Sequence, residues 1–293
     1  MINFRYHVVS IIGIFMALAV GVVLGAGPLQ RTINTGMNRS SSAAASDPQL
    51  SAQAEAEAAG LKALASSSLT GSLTGTQVAL VVLPGASDDD VAAVHSTLTD
   101  AGASVVGRVT LTDNWQSTSM SQYRATLSTS LASHLESAAA KTASADGVVG
   151  YSIVQVLTSS GSETDLLRQI LTDKSTPLMT IDEDPAGKAT TLVAIGARAQ
   201  SAATASSAPT SPDAWVGMAQ AVGSTSGVVM GDASSRGAMI SRIRSAGTAV
   251  TTVDSVGTTL ATVDTALALS TKATGARAYG VGSGAQSVIP SNK

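Results

Sequence analysis

The chain has 293 residues, a net charge of −3, charged residues at 13% of its positions, aromatic residues at 3% and no cysteine. No basic stripe and few stacking side chains exclude nucleic acid as the main partner, and the missing thiols exclude disulfides, thiolate metal sites and a cysteine nucleophile. The hydrophobic fraction of 44% and mean hydropathy of +0.26 reflect one N-terminal run and abundant alanine, because no second run of about 18 apolar residues follows.

That run is Val8–Gly27, VVSIIGIFMALAVGVVLGAG, 20 residues without a charge. As a helix it would be about 30 Å long, the thickness of a bilayer's hydrocarbon core. It exceeds the h-region of a secretory signal, and the best cleavage site, Leu24-Gly25-Ala26, has Leu where a small residue is wanted; a retained single-pass anchor is therefore preferred over a cleaved signal or a buried core helix. Arg5 and His7 before the run nearly balance Arg31 and Arg39 after it, so the positive-inside rule is weak here. The short N-terminus is placed inside, and the bulk of the chain outside the cell membrane. Gly13, Ala17, Gly21 and Gly25 recur every four residues and form one small-residue face, of which Gly21-x-x-x-Gly25 is the simplest dimerisation pattern in lipid. The expectation is a homodimer paired through this helix. Residues 1–28 are thus read as the anchor.

Residues 29–77 form a Ser/Ala-rich spacer. Its one helical stretch, Pro48 to Ala65, has Asp47 as cap, Pro48 in the first turn and a weak seam of Leu50, Ala54, Leu61 and Leu64. A stalk and a flexible linker both fit this composition.

Residues 78–293 read as an extracytoplasmic α/β domain. Val78–Leu83 (VALVVL), closed by Pro84-Gly85, has the continuous apolar character of a strand buried on both faces. Ser87–Thr99 predicts a helix, and Ser104–Leu111 a second strand. The order recurs in Gly227–Asp232, Ser234–Ser245 and Val250–Val253. Between them the sequence predicts a helix over Ser121–Thr142, a strand over Gly147–Leu157, a helix over Ser162–Lys174 and short strands at Leu178–Ile181 and Thr191–Ile195. A loop over Ala202–Pro212 and a helix from Pro212 through Val222 come before the second unit, and a helix at Thr259–Thr274 and a strand at Ala278–Val281 close the chain. The expected architecture is a three-layer, doubly wound and mostly parallel sheet.

Chemistry is sparse. Asp88-Asp89-Asp90 suits the positive end of a helix. Asp182, Glu183 and Asp184, expected just after a strand, are the better candidates for a ligand loop, although they lack the spaced oxygens of a calcium loop and also read as a solvated acidic turn. Gly280-Val281-Gly282-Ser283-Gly284 lacks the spacing and the lysine of a phosphate loop. His95 and His134 read as surface residues on helices, and Arg236, Arg242 and Arg244 as a solvated helix face or a greeting to an acidic partner. No serine sits in a nucleophile elbow. The expectation is a non-catalytic protein without cofactor.

Four stretches carry a family resemblance: MINFRYHVVSIIGIFMALAVGVVLGAGPLQ (Met1–Gln30), VALVVLPGASDDDVAAV (Val78–Val94), AGASVVGRVTLTDNW (Ala101–Trp115) and YGVGSGAQSVIP (Tyr279–Pro290). They resemble the actinobacterial copper transport protein B family, MctB. The resemblance implies an envelope protein that keeps intracellular copper low, described also as an outer-membrane channel. A related branch, SteB, implies instead an envelope-assembly factor with a membrane partner, SteA, and an influence on a septal peptidoglycan hydrolase. The spacer departs from the longer coiled coil of relatives. Copper(I) prefers thiolate and thioether ligands and copper(II) imidazole; three scattered His and eight Met without a close pair give no legible copper site. The strands also lack the alternation of a membrane β-barrel. Copper homeostasis by an indirect or oligomeric route is the first expectation, and a scaffold in envelope assembly the alternative.

Overall fold

The computed structural model describes residues 48–199, 209–271 and 275–290. The run Val8–Gly27, with Gly13, Ala17, Gly21 and Gly25, lies outside the described residues. Among the described residues no helix is long and apolar enough to cross a membrane. The chain divides into two compact units, residues 1–53 and 54–293. The described part of the first is the opening of helix α1 (Pro48–Leu69); the remaining elements belong to the second.

The second unit is built on a seven-stranded sheet of order β3-β2-β1-β4-β5-β6-β7. Its strands are β1 (Gln77–Val82), β2 (Ser104–Leu111), β3 (Met179–Glu183), β4 (Thr191–Ile195), β5 (Val228–Met230), β6 (Thr251–Val253) and β7 (Arg277–Tyr279). All neighbours pair in parallel except β2 and β3, which are antiparallel with Val109 opposite Ile181. Helices cover both faces, so the expected α/β class and mostly parallel sheet are found.

Successive residues of β1 serve opposite cores. Ala79 and Val81 join the cluster that contains Leu131, Ile153, Leu167, Met218 and Ile243, whereas Val78, Leu80 and Val82 join Leu69, Leu98, Val263 and Leu269. The first cluster is closed by α4 (Ser121–His134), α6 (Ala145–Thr158), α7 (Ser162–Leu171), α8 (Pro212–Gly223) and α9 (Met239–Ser245). The second is closed by α1, α2 (Asp88–Asp100) and α10 (Thr259–Ser270). Two short helices, α3 (Asp113–Gln116) and α5 (Ala138–Lys141), complete the set.

The structure corrects three expectations. Gly147–Leu157 is not a strand but the body of α6. A continuous apolar run carries no period, so only length separates a buried strand from a buried helix, and the 11 residues from Gly147 to Leu157 are too many for the strand. The Ser144 hydroxyl accepts from the Gly147 N–H and starts the helix. The helix expected over Ser121–Thr142 ends at His134, where Leu135 becomes extended (ψ 139°), and restarts at Ser137, which caps α5. The helix expected from Ser234 forms only over Met239–Ser245, because Asp232 draws the backbone N–H and the hydroxyl of Ser234 into a local turn.

The antiparallel course of β3 follows from a short link. Residues 184–190 must carry the chain from the sheet edge past β2 and β1 to the start of β4. Three strand spacings are about 14 Å, within reach of seven extended residues but not of a return along the sheet. Running β3 downward delivers the chain to the correct end, and the Thr190 N–H seals it by donating to the Gln77 carbonyl at 2.8 Å.

Helices α6 and α8 meet at glycines. A Cβ on Gly150 would stand 2.8 Å from the Gly217 carbonyl oxygen, and one on Gly217 would stand 2.5 Å from the Asp146 backbone. Both are backbone contacts, which cannot yield without moving a helix.

Two acidic residues sit deep on the side of α10. Asp254, 1% exposed at the side chain, pairs with Arg244 at 2.9 Å, and it also accepts from the Ser255 hydroxyl and the N–H groups of Val281 and Gly282. Burial pushes its carboxyl upward, but these donors together hold it below the usual range. Asp264 on α10 has no such help. It is fully buried, neither oxygen has a hydrogen-bond partner among the described residues, and burial, aided by the Asp254 charge, pushes its pKa up to about 7.

Two outcomes are expected. Gly217→Ala forces α6 and α8 apart and should lower stability by about 1–3 kcal/mol, read as a lower Tm in thermal unfolding of the full chain. Asp264, with a folded-state pKa above its unfolded value of about 3.9, contributes most below pH 4; that contribution falls as pH rises towards about 7 and is then constant. Asp254 and Asp184, both held low, act in the opposite sense at acid pH. Asp264→Leu should therefore raise Tm by several degrees at pH 8 and flatten its decline between pH 5 and 8. An unchanged slope would remove Asp264 from this account.

Candidate functional site

The strand order places a crevice before any side chain is considered. From β1 the chain leaves towards β2, and from β4 it leaves towards β5. The carboxyl ends of β1 and β4 therefore diverge, which is where open α/β sheets hold ligands. A cavity of about 620 Å³ occupies this place.

Each wall is built by a strand end. Leu83-Pro84-Gly85 follows β1 and Gly196-Ala197-Arg198 follows β4; Asp113, Asn114 and Gln116 come from α3 after β2, and Asp232 and Ser234 from the turn after β5. Strand pairing extends into these loops, with the Leu83 N–H donating to the Ile195 carbonyl at 2.9 Å and the Gly196 N–H to the Met230 carbonyl at 2.8 Å. The Met239 side chain lies against Gly196 and Gly231, where a Cβ would collide with it.

The α3 wall is stapled to the segment before α8. Thr118 N–H donates to the Pro209 carbonyl at 3.0 Å, Ser211 N–H to the Gln116 carbonyl at 2.7 Å, and the Trp215 indole N–H to Gln116 Oε1 at 3.3 Å. Behind it lies Arg124, wholly buried, whose Nε donates to Asp146 at 2.6 Å and whose Nη1 donates to the Ser117 and Asn114 carbonyls. Sequence patterns missed this arginine: it sits on α4 among Ser, Thr and Ala, and its partners are a carboxylate 22 residues away and two main-chain oxygens. A buried charge is tolerated only with such partners.

Charge around the cleft is uneven. Arg198 forms a two-point pair with Asp90, Nε to Oδ2 and Nη2 to Oδ1, both at 2.7 Å, and these bonds raise its own pKa. Asp90 is thereby a buried anchor rather than only a first-turn acid, while Asp88 and Asp89 are exposed. Among the described residues no ion pair involves Asp113 or Asp232.

The acidic stretch singled out in the sequence lies elsewhere. Asp182 and Glu183 are in β3 itself, and because β3 runs antiparallel its end, with Asp184, falls at the amino ends of the parallel strands, away from the crevice. Asp182 accepts from the Thr110 hydroxyl at 2.6 Å and pairs with Arg108 at 3.5 Å; Asp184 pairs with Arg168 and accepts from the Ala186 N–H. The Arg168 bond first, then that N–H, lowers the Asp184 pKa. Glu183 is exposed. Asp182 and Glu183 thus lie within a strand rather than just after one, and Asp184 follows an antiparallel one.

The glycine loop after β7 is also spoken for. The Val281 and Gly282 N–H groups close on the Asp254 carboxylate at 2.8 and 3.0 Å, and Gly280, at φ +119°, passes where a side chain would strike that carboxylate. The loop does cradle an anion, and the anion is the chain's own. Arg244 belongs to the same knot, donating to Asp254, Thr252 and the Ser283 and Tyr279 carbonyls, so it is not on a solvated face. His95 is exposed as expected, and His134 pairs with Glu163 at 2.6 Å. Among the described residues no three His, Cys, Asp or Glu side chains gather to hold a metal ion.

Comparison with known proteins now bears on this geometry. The proteins named copper transporter MctB from Mycobacterium tuberculosis and Mycobacterium bovis are each 32% identical to the chain over 123 residues. The match covers 39% of this chain, and the chain spans about 39% of the length of these curated relatives. The profile of the family described as copper transport outer membrane protein, MctB, matches residues 1–290. With all but its last three residues inside that match, the chain belongs to the MctB family.

Proposed function

We propose that this protein is a membrane-anchored, non-catalytic component of the cell envelope that acts in copper homeostasis on the export side. The match of the family profile over residues 1–290 carries the reading. The anchor is Val8–Gly27, its small-residue face of Gly13, Ala17, Gly21 and Gly25 pairs two copies, and the α/β domain stands outside the cell membrane.

Copper handling is indirect or shared between subunits. Thioether or imidazole ligands would have to come from eight Met and three His, and copper sites need several such groups at once. Met239 is packed over Gly196 and Gly231, and His134 is engaged with Glu163. A copper-responsive assembly, held by the anchor and presenting the domain to an envelope partner, fits this distribution better than a closed cage within one chain.

The small-residue ladder favours a second reading from a different class. A tethered domain with a pairing helix and no nucleophile elbow suits a scaffold in envelope assembly that binds a membrane partner and influences a peptidoglycan hydrolase, as the SteB resemblance implies. A deletion strain separates the two. The first predicts raised cellular copper and copper sensitivity with normal septa, and the second predicts normal copper with defective septation and sensitivity to wall-targeting drugs. Calorimetric titration of the detergent-solubilised full chain with copper should show no tight stoichiometric site; such a site would contradict the indirect route. Crosslinking in membranes should trap a dimer that Gly21→Ile abolishes, and a dimer that survives the change would reject pairing through this face.

A further inference from the structure

We propose that the cleft between the ends of β1 and β4 binds a neutral, hydroxyl-rich ligand, a saccharide of one or two rings. Its volume of about 620 Å³ lies within the range of small-molecule sites. The polar lining is rich in acceptors: Asp113 and Asp232 offer carboxylates, Asn114 and Gln116 the amide atoms left free by their bonds to the Pro177 carbonyl and the Trp215 indole, and Ser119 and Ser235 hydroxyls. Hydroxyl groups donate well to carboxylates and exchange donor and acceptor roles with amides.

The charge balance disfavours the anionic alternatives. Arg198, the one arginine among the described residues of the lining, is half exposed but committed through Nε and Nη2 to Asp90, and Arg124 lies behind the wall on Asp146 and two carbonyls. A phosphate or nucleotide would meet the carboxylates of Asp113 and Asp232 and would have to share Arg198 with Asp90, and like charge brought into a cleft is disfavoured. The Asp232 carboxylate already takes the Ser234 N–H at 2.7 Å and its hydroxyl at 3.0 Å, which fixes its plane while leaving acceptor positions, since a carboxylate has about four.

One wall is aromatic. Trp215 is half-buried on α8, and its indole N–H is tied to Gln116 at 3.3 Å. Trp215 lines the cleft while also packing on the first core cluster, so the part of the indole left accessible adds apolar surface beside planar polar groups, a pairing that matches a sugar ring with C–H groups on one face and hydroxyls around its edge. The main-chain staples between 116–118 and 209–211 keep this wall in place before a ligand arrives, so little ordering is left to oppose binding.

The test uses tryptophan emission of the detergent-solubilised full chain. Trp115 is wholly buried and Trp215 lines the cleft, so the part of the change lost in Trp215→Phe is the part read at the cleft. The probes are chitobiose, arabinobiose and inorganic phosphate. A saturable change is expected with at least one disaccharide and none with phosphate. Asp232→Asn and Asp113→Asn should each weaken that binding about tenfold, with Tm unchanged for at least one of them, and calorimetry on the same samples should give the same order. Silence with both disaccharides, a response to phosphate, or a disaccharide response untouched by both substitutions would each overturn the proposal.

Discussion

The arrangement depends on one strand. In β1, Val78–Val82 are hydrogen-bonded on both edges, to β2 and to β4, and buried on both faces. A segment so placed cannot shift register without exposing one core and unpairing two neighbours. Its two flanks then have to be filled by chain leaving in opposite directions, and that divergence opens the crevice at its carboxyl end. The cleft is thus a consequence of topology, and the side chains only decide what it accepts.

The strands of this centre were legible because each carries its own signal. VALVVL, SVVGRVTL and TLVAI are short, apolar and bounded by turn residues, and each lies within one residue of where the sequence put it. Segment α6 was misread for the complementary reason. GVVGYSIVQVL is apolar on all sides because it is packed between the sheet and α8, and a helix with no wet face loses the periodicity that identifies helices. Its glycines, which suggest a strand bend or a turn in isolation, are there for α8. That information resides in Gly217, far along the chain.

Direction was the other quantity the sequence did not carry. Nothing in MTIDE distinguishes a strand running up from one running down; the length of the link to β4 does. That direction sets Asp184 at the amino ends of the parallel strands, away from the crevice. The true crevice residues were individually visible, since Asp113-Asn114-Trp115 falls within one of the stretches that resemble relatives, but their meeting with Asp232 and Trp215 depends on strand order alone. Buried ionic groups were the least legible. Arg124, Arg244 and Asp254 look like surface residues until their partners, 22, 10 and up to 28 positions away, are brought to them.

These ionic knots explain what is left over for function. A domain with few aromatic residues and many Ala, Ser and Thr has thin side chains with which to lock its loops. Arg124 behind α3, Arg198 on Asp90 and Arg244 on Asp254 do that locking after β2, after β1 and β4, and after β6. A guanidinium suits the task because its fork spans main-chain carbonyls and a carboxylate at once. Each arginine committed in this way has its charge matched, and the aspartates Asp90 and Asp254 neutralised in this way are buried. The cleft is then faced by Asp113 and Asp232 beside amides, hydroxyls, one indole and the outer side of the Arg198–Asp90 pair, so the stabilisation of the loops and the polarity of the crevice have a shared origin.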